Sequence, residues 1–387
     1  MPIFVLITCA TVLGFAATDL VLPAIPGLPA QLGGTAEQGQ YVLATFTVGV
    51  ALGLLVFGEL GARYALRPLL VGALLAFGLA SFAATRVGSM DALIQLRFIQ
   101  GVASAAAAVF APGIIRAVFA EPQAVRALGL HGSIEALAPA LAPVAGTWLL
   151  ARHGWTASFT LLAAMATVLA LVFALLPGRM FPVRARSTGA VSAVGYLRLL
   201  RSRAFLRFGL SQAFTLGALL VIVMGAPAVM VGAMQGTLVH FIAMQVMGVA
   251  SFIMAANISS RLSTRFGVER MILLGSALSA AGACAVLAYA VAGGNDPRAL
   301  AVLFVPINLG LGLRGPPGFF QAILAAQGDD ARGAALVILA ILLTTALGTA
   351  GMAPWIASGL LPLAATAAAI SLASVVVLRA LRPPHAG

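Results

Sequence analysis

Four charged side chains interrupt long apolar stretches of the sequence: Asp19, Arg97, Glu135 and Arg314. A charge at bilayer depth costs several kcal/mol unless it is paired, protonated or solvated by a cavity, so each is a functional candidate by default. Burial favours the neutral carboxyl and a nearby guanidinium favours the carboxylate, so movement of one past the other loads or releases a proton. On this reading Asp19 is the main proton site and Arg97 is its switchable counter-ion. Glu135 is a second carboxylate, for which a proton and a cationic or polar solute compete. Gln100 and Gly101 stand three and four residues after Arg97 on the same helical face, where they can orient it and admit a neighbouring helix. Arg314 precedes Gly315-Pro316-Pro317, where missing amides break the helix ladder and free carbonyls that a cavity can solvate. The competing account of Asp19 and Arg97 is a static ion pair that locks helices together.

Other chemistries lack their residues. All 22 basic residues are Arg, so there is no lysine for a phosphate-binding loop or a Schiff-base cofactor. Cys9 and Cys284 lie in apolar segments without metal-ligand spacing, and His131 and His240 read as satisfied or cavity-facing histidines rather than metal ligands, so no metal or other cofactor is expected. No G-x-S-x-G elbow, H-E-x-x-H or Gly-rich phosphate loop occurs, and the chain does not read as an enzyme. Met224, Met230, Met234, Met244, Met247 and Met254 crowd two consecutive apolar segments. Flexible thioethers suit a pocket that accepts many shapes, although lipid-facing or core filler explains them as well, and the same holds for Phe208 and Phe214.

The elements that must position these groups are membrane spans. The chain has 387 residues, 61% hydrophobic and 8% charged, with a mean hydropathy of +1.08, whereas soluble domains carry roughly 25% charge. A span needs about 20 apolar residues, which allows on the order of twelve. They are expected at 3–28, 39–60, 68–85, 91–118, 124–150 and 155–177, then at 204–230, 236–260, 270–292, 299–326, 332–356 and 360–380. The first stretch lacks a basic leader and is read as a retained span rather than a signal peptide. Residues 178–203 form the one long polar stretch and divide the chain into bundles at 1–177 and 204–387.

That linker carries Arg179, Arg184, Arg186, Arg198, Arg201 and Arg203. If it is cytoplasmic, Arg63, Arg67, Arg116, Arg126, Arg207, Arg261, Arg265, Arg270, Arg332, Arg379 and Arg382 share its side, and only Arg86, Arg152 and Arg298 lie opposite. This asymmetry places both termini in the cytoplasm and accounts for the +12 charge without nucleic acid. The halves also echo each other: Leu60-Gly61-Ala62-Arg63-Tyr64-Ala65-Leu66-Arg67 follows the second span, and Leu262-Ser263-Thr264-Arg265-Phe266-Gly267-Val268-Glu269-Arg270 follows the eighth. Internal repeats of this kind build many secondary transporters.

These residues resemble the major facilitator superfamily, and within it the twelve-helix drug–proton antiporters of the bicyclomycin and chloramphenicol-resistance type. Asp19-Leu20-Val21-Leu22-Pro23-Ala24-Ile25-Pro26 resembles that branch's first-helix motif. Arg97-Phe98-Ile99-Gln100-Gly101 is similar to its fourth-helix R-x-x-Q-G. Gly129, then Ala138-Pro139-Ala140-Leu141-Ala142-Pro143-Val144-Ala145-Gly146, then Gly154-Trp155 and Phe159 resemble the fifth-helix antiporter motif and its outer turn. In the loop after the second span, Gly58, Leu60, Arg63 and Arg67 match the family's G-x-L-A-D-R-x-G-R-R. Its Asp, second Gly and first Arg are Ala62, Ala65 and Leu66 here. The missing acid is expected to weaken the family's cytoplasmic latch, with Glu59 available as a substitute. In the antiporter motif Ala138, Ala142 and Thr147 replace glycines with other small residues that still permit close helix approach.

The resemblance implies an all-α protein of two six-helix bundles around a central cavity, working by alternating access. It further implies proton-driven export of small amphipathic drugs or toxicants through the bacterial inner membrane, by a multi-pass monomer whose partners are the solute, protons and lipid. Solute contacts are expected from Asp19, Glu135, Gln100, Arg314, Phe214, Met224 and Met247. Gating is expected from Gly58, Glu59, Arg63, Arg67, Gly101, Pro139, Pro143, Gly146 and Arg265. The alternatives are a proton-linked carrier of a sugar or organic anion, and a permease subunit of an ATP-driven complex.

Overall fold

The computed structural model describes residues 2–34, 36–177, 181 and 194–381, and among them there is no strand. The helices are α1 (Pro2–Asp19), α2 (Leu28–Leu32), α3 (Ala36–Arg63), α4 (Leu66–Ala84), α5 (Met90–Val118), α6 (Glu121–Glu135), α7 (Ala138–His153) and α8 (Thr156–Leu175). They continue as α9 (Val194–Arg201), α10 (Arg203–Ala228), α11 (Leu238–Phe266), α12 (Val268–Val291), α13 (Pro297–Leu324), α14 (Asp330–Met352) and α15 (Leu360–Ala380). Eleven of the described helical segments are long and apolar enough to cross a membrane. The remaining expected span, 124–150, is broken into α6 and α7, each too short to cross by itself.

Proline explains both breaks in the first half. Pro23 has no amide to donate to the Asp19 carbonyl one turn back and its ring crowds that carbonyl, so α1 stops at Asp19 and the chain passes through a 3-10 turn, Leu22–Gly27, that contains Pro23 and Pro26. Pro139 lies at the start of α7, where its missing amide costs nothing, and this restarts the helix after Ala136 and Leu137. Pro316 and Pro317 free carbonyls without dividing the expected span 299–326: α13 runs through both prolines to Leu324. The physical reason is a substitute donor. Pro317 cannot donate to the Leu313 carbonyl one turn back, and the Ser259 hydroxyl of α11 donates to it instead, at 2.6 Å.

Packing follows membrane rules. Large aliphatic side chains point outward, as Leu79, Val144, Val239 and Leu347 do, while alanines such as Ala106, Ala166, Ala218 and Ala367 are fully buried. In hydrocarbon, helix contact is driven by close packing of small residues rather than by withdrawal of apolar surface from water. Gly101 is one such point: a Cβ there would collide with the Phe46 carbonyl, so α5 and α3 cross backbone to backbone.

The described residues form two compact units: Met1–Val118, Ile134–Ser192 and Asp329–Ala335 make one, and Phe119–Ser133, Ala193–Gly328 and Leu336–Gly387 the other. Relative to bundles at 1–177 and 204–387, two short segments are exchanged. In the second unit Ser133 accepts from Asn257 at 3.1 Å, and in the first Asp329–Ala335 are held by the ion pairs described below. Within the second unit Phe205, Phe208, Ile272, Ala322, Val337 and Leu378 form a core cluster into which Leu199 of α9 inserts. Of the expected linker arginines, Arg179, Arg184 and Arg186 lie outside the described residues, as does Arg382.

Candidate functional site

A helix that stops inside a bundle leaves its last carbonyls without intrahelical donors. At the end of α1 two side chains supply them. Arg97 Nη1 donates to the Ala17 carbonyl at 3.1 Å, and the Ser158 hydroxyl donates to the Leu20 carbonyl at 3.1 Å. Arg97 Nε donates to the Val42 carbonyl of α3 at 3.1 Å, and Nη1 also donates to Gln100 Oε1 at 3.1 Å. Gln100 Nε2 donates in turn to the Ser81 hydroxyl at 2.8 Å, and the Phe46 ring lies 4.2 Å from the guanidinium carbon. The guanidinium is fully buried, and among the described residues Nη2 has no hydrogen-bond partner.

Asp19 is the last residue of α1, half-buried, and among the described residues it makes no ion pair or hydrogen bond. Arg97 therefore holds the backbone two residues away from the acid rather than the acid itself. The expected meeting of Asp19 and Arg97 is replaced here by a helix cap, because the break after Asp19 exposes carbonyls to the guanidinium. Gly146 of α7 completes the surroundings: a Cβ there would strike the Leu20 carbonyl, so α7 packs directly on the broken end.

Glu135 ends α6 at the second break and is half-buried, beside buried His131 in sequence. Pro139 is exposed and Pro143 sits within α7. His240 caps its own helix: its Nδ1 accepts from the Thr237 amide at 3.1 Å.

Arg314 is the second fully buried guanidinium, in the other unit. Its Nη1 donates to the Ser211 carbonyl and to the Thr215 hydroxyl at 2.9 Å, and Nη2 donates to the Ser211 hydroxyl at 3.1 Å. Ser374 bonds Thr215 at 2.7 Å and donates to the Ser211 carbonyl at 3.1 Å. Arg314 Nε and Gln212 Oε1 are buried without hydrogen-bond partners among the described residues. The guanidinium is thus surrounded by neutral oxygens, with no carboxylate bound to it among the described residues. Phe214 is half-buried nearby in sequence, and Met224 and Met247 are exposed. Met230, Met234 and Met244 are buried in the core of that unit, which explains them as packing.

A third cluster lies in the first unit. Glu59 accepts from Arg332 Nε at 2.8 Å and Nη2 at 3.0 Å, and also pairs with Arg63 one turn on. Arg332 Nη1 donates to Asp329 at 3.1 Å. Arg116 Nη2 reaches both oxygens of Asp330, at 2.6 and 2.7 Å, and Nε reaches Oδ2 at 3.2 Å. Glu59, three residues before Ala62, thus holds both Arg332 and Arg63. Gly58 is buried next to it. Arg67 has a separate role, donating to the Phe173 carbonyl at 3.1 Å and to the Ala174 carbonyl at the end of α8. Arg265 is exposed, stacked 5.4 Å from the Phe266 ring.

Sequence reasoning did not anticipate Asp329, Asp330 or the pairings of Arg116 and Arg332. Their one local trace is Asp329-Asp330-Ala331-Arg332 immediately before an apolar run, an acidic helix start that many proteins carry.

With this geometry in hand, a family model described as Major Facilitator Superfamily matches residues 7–351. A bicyclomycin resistance protein homologue of Haemophilus influenzae is 25% identical over 293 residues, 74% of this chain and 73% of that protein. A chloramphenicol resistance protein of Pseudomonas aeruginosa is 34% identical over 145 residues, 37% of this chain and 35% of its own length. Among solved structures, the transporter FucP in its outward conformation superimposes with a TM-score of 0.78 at 16% identity, covering 98% of this chain and 99% of that one, a likeness of fold alone. The broken first helix, the paired proline breaks and the buried arginines thus sit in a multi-pass membrane transporter of small molecules, and the chain belongs to the Major Facilitator Superfamily.

Proposed function

We propose that this chain exports small amphipathic compounds, antibiotics or similar toxicants, from the cytoplasm across the bacterial inner membrane in exchange for protons. It does so as a monomer with both termini cytoplasmic. The observation that carries the reading is Asp19: a half-buried acid at the broken end of α1, without a partner among the described residues, two residues from a carbonyl held by Arg97. An acid so placed accepts a proton without first breaking an ion pair, and any shift of α1 along the guanidinium brings the carboxylate into its reach. Protonation and helix position are then coupled. The resistance proteins among the relatives support the substrate class.

The test uses purified chain in liposomes with ethidium inside and an imposed pH gradient. The expected result is ethidium export that needs the gradient and not ATP, and that Asp19→Asn abolishes at unchanged protein level. Normal export by the mutant overturns the assignment of Asp19, and a requirement for ATP and a second subunit favours the permease alternative.

A second reading, a proton-linked carrier of an organic anion, has one observation in its favour. Arg314 is a buried cation whose described partners are all neutral, with Nε unpartnered. Saturable uptake of an organic anion, lost in Arg314→Gln, would favour it over drug export.

A further inference from the structure

The cavity farthest from these groups in chemical character lies wholly in the second unit. It measures about 190 Å³ and is lined by Arg207 and Phe208 of α10, Glu269, Ile272 and Leu273 of α12, and Leu378 and Arg379 of α15. One water occupies roughly 30 Å³ of liquid, so the space admits a group of several heavy atoms.

Its position follows from the helix ends. Arg207 is near the start of α10, Glu269 is the second residue of α12, and Arg379 is the last but one of α15. The cavity therefore opens at the end of the unit where two helices begin and a third stops. Arg203 and Arg270 stand at the same helix starts, and this is the basic side of the chain. The short helix α9 lies beside it, with Leu199 buried against Phe208 and Leu378 while Leu197 and Leu200, adjacent in sequence to Arg198 and Arg201, remain exposed. Apolar side chains beside arginines on a short helix are the pattern of a segment lying at a membrane surface. The mouth of the cavity is thus at headgroup depth.

The lining has two distinct ends. Arg207 is buried and already engaged: it donates to Glu269 at 2.8 and 3.3 Å and to the Leu378 carbonyl at 3.1 Å, and stacks 5.0 Å from the Phe208 ring. Arg379 is exposed, and its guanidinium makes no ion pair or hydrogen bond among the described residues. Ile272, Leu273, Leu378 and Phe208 form an apolar wall between them. A fixed pair, one uncommitted guanidinium and an apolar wall suit an amphiphile that carries phosphate at one end and hydrocarbon below it. Basic pockets between spans on the cytoplasmic side hold phospholipid headgroups in this manner.

We propose that this cavity is a binding site for the phosphodiester headgroup of an inner-leaflet phospholipid, with Arg379 holding the phosphate and Leu273 and Leu378 lining the first segment of the acyl chain. The site is separate from the exported compound and from proton exchange.

The test is native mass spectrometry and thermal unfolding of the purified full chain in detergent, with added phosphatidylglycerol, with a diacylglycerol lacking phosphate, and with inorganic phosphate. Wild type should retain a phosphatidylglycerol and unfold several degrees higher with it, but not with the other two. Arg379→Gln should retain one phospholipid fewer and lose most of that shift. Leu273→Trp, which fills the cavity without changing charge, should do the same. Equal retention by wild type and both variants overturns the site. Loss in Arg379→Gln alone places the contact on the outer surface and overturns the cavity, and an equal shift with inorganic phosphate overturns the lipid in favour of a free anion.

Discussion

Glu59 and Arg332 meet as a parallel fork, Oε2 to Nε at 2.8 Å and Oε1 to Nη2 at 3.0 Å, across 273 positions of sequence. The same carboxylate serves Arg63, and Arg332 also donates to Asp329, so each group has at least two partners among the described residues. The Arg332 side chain is 9% exposed and Glu59 25%, so this pair is only partly screened by water. Glu59→Gln leaves Arg332 with a weaker neutral acceptor, and charged hydrogen bonds contribute about 1.5–3 kcal/mol. A lowered unfolding temperature in detergent is expected, and the double variant with Arg332→Gln should be more stable than the summed single effects. Wild-type stability of Glu59→Gln would show that the fork contributes nothing.

Arg97 should not tolerate lysine. The guanidinium reaches the Val42 and Ala17 carbonyls and Gln100 Oε1 from two different nitrogens, and one ammonium cannot span them. Losing one such bond costs about 1.5–3 kcal/mol, which is roughly tenfold to a hundredfold in an equilibrium. Ethidium efflux by Arg97→Lys should fall by about that factor, and an unchanged rate would reduce Arg97 to a bare positive charge.

The contact of α7 with the broken end of α1 depends on a missing side chain. Gly146→Ala places a methyl against the Leu20 carbonyl, and overpacking of this kind costs about 1–3 kcal/mol. Thermal unfolding should register the loss, with Gly72→Ala as a control because nothing surrounds that position within 4 Å.

Ser259 and Pro317 should behave as one unit. Ser259→Ala alone removes the donor to the Leu313 carbonyl at a cost of about 0.5–1.5 kcal/mol. In a Pro317→Ala background the restored backbone amide can serve that carbonyl, so the same serine substitution should cost nothing. Additive costs would mean that the hydroxyl is not the substitute donor.

The spans were legible because hydrocarbon imposes a minimum length and an apolar composition that no other part of the chain meets. The breaks after Asp19 and Glu135 were not legible, since prolines alone do not announce a break and both segments read as unbroken spans, 3–28 and 124–150. At Pro316 and Pro317 the freed carbonyl was legible but its donor was not, because the Ser259 hydroxyl comes from another helix, 54 positions from Leu313. Asp19 and Arg97 could be singled out by charge alone. That the guanidinium caps α1 through Ala17 could not, because a backbone carbonyl carries no sequence signature.

The order of residues by itself determined a membrane-embedded all-helical protein, the approximate positions of most of its spans and the few intramembrane charges, since each of these is a one-dimensional property of composition and spacing. Tertiary structure alone decided which oxygen each arginine holds: Ala17 for Arg97, Ser211 and Thr215 for Arg314, Glu59 for Arg332 and Asp330 for Arg116. Those choices rest on hydrogen-bond distances of about 3 Å between helices remote in sequence, and such distances are set only when backbones have packed.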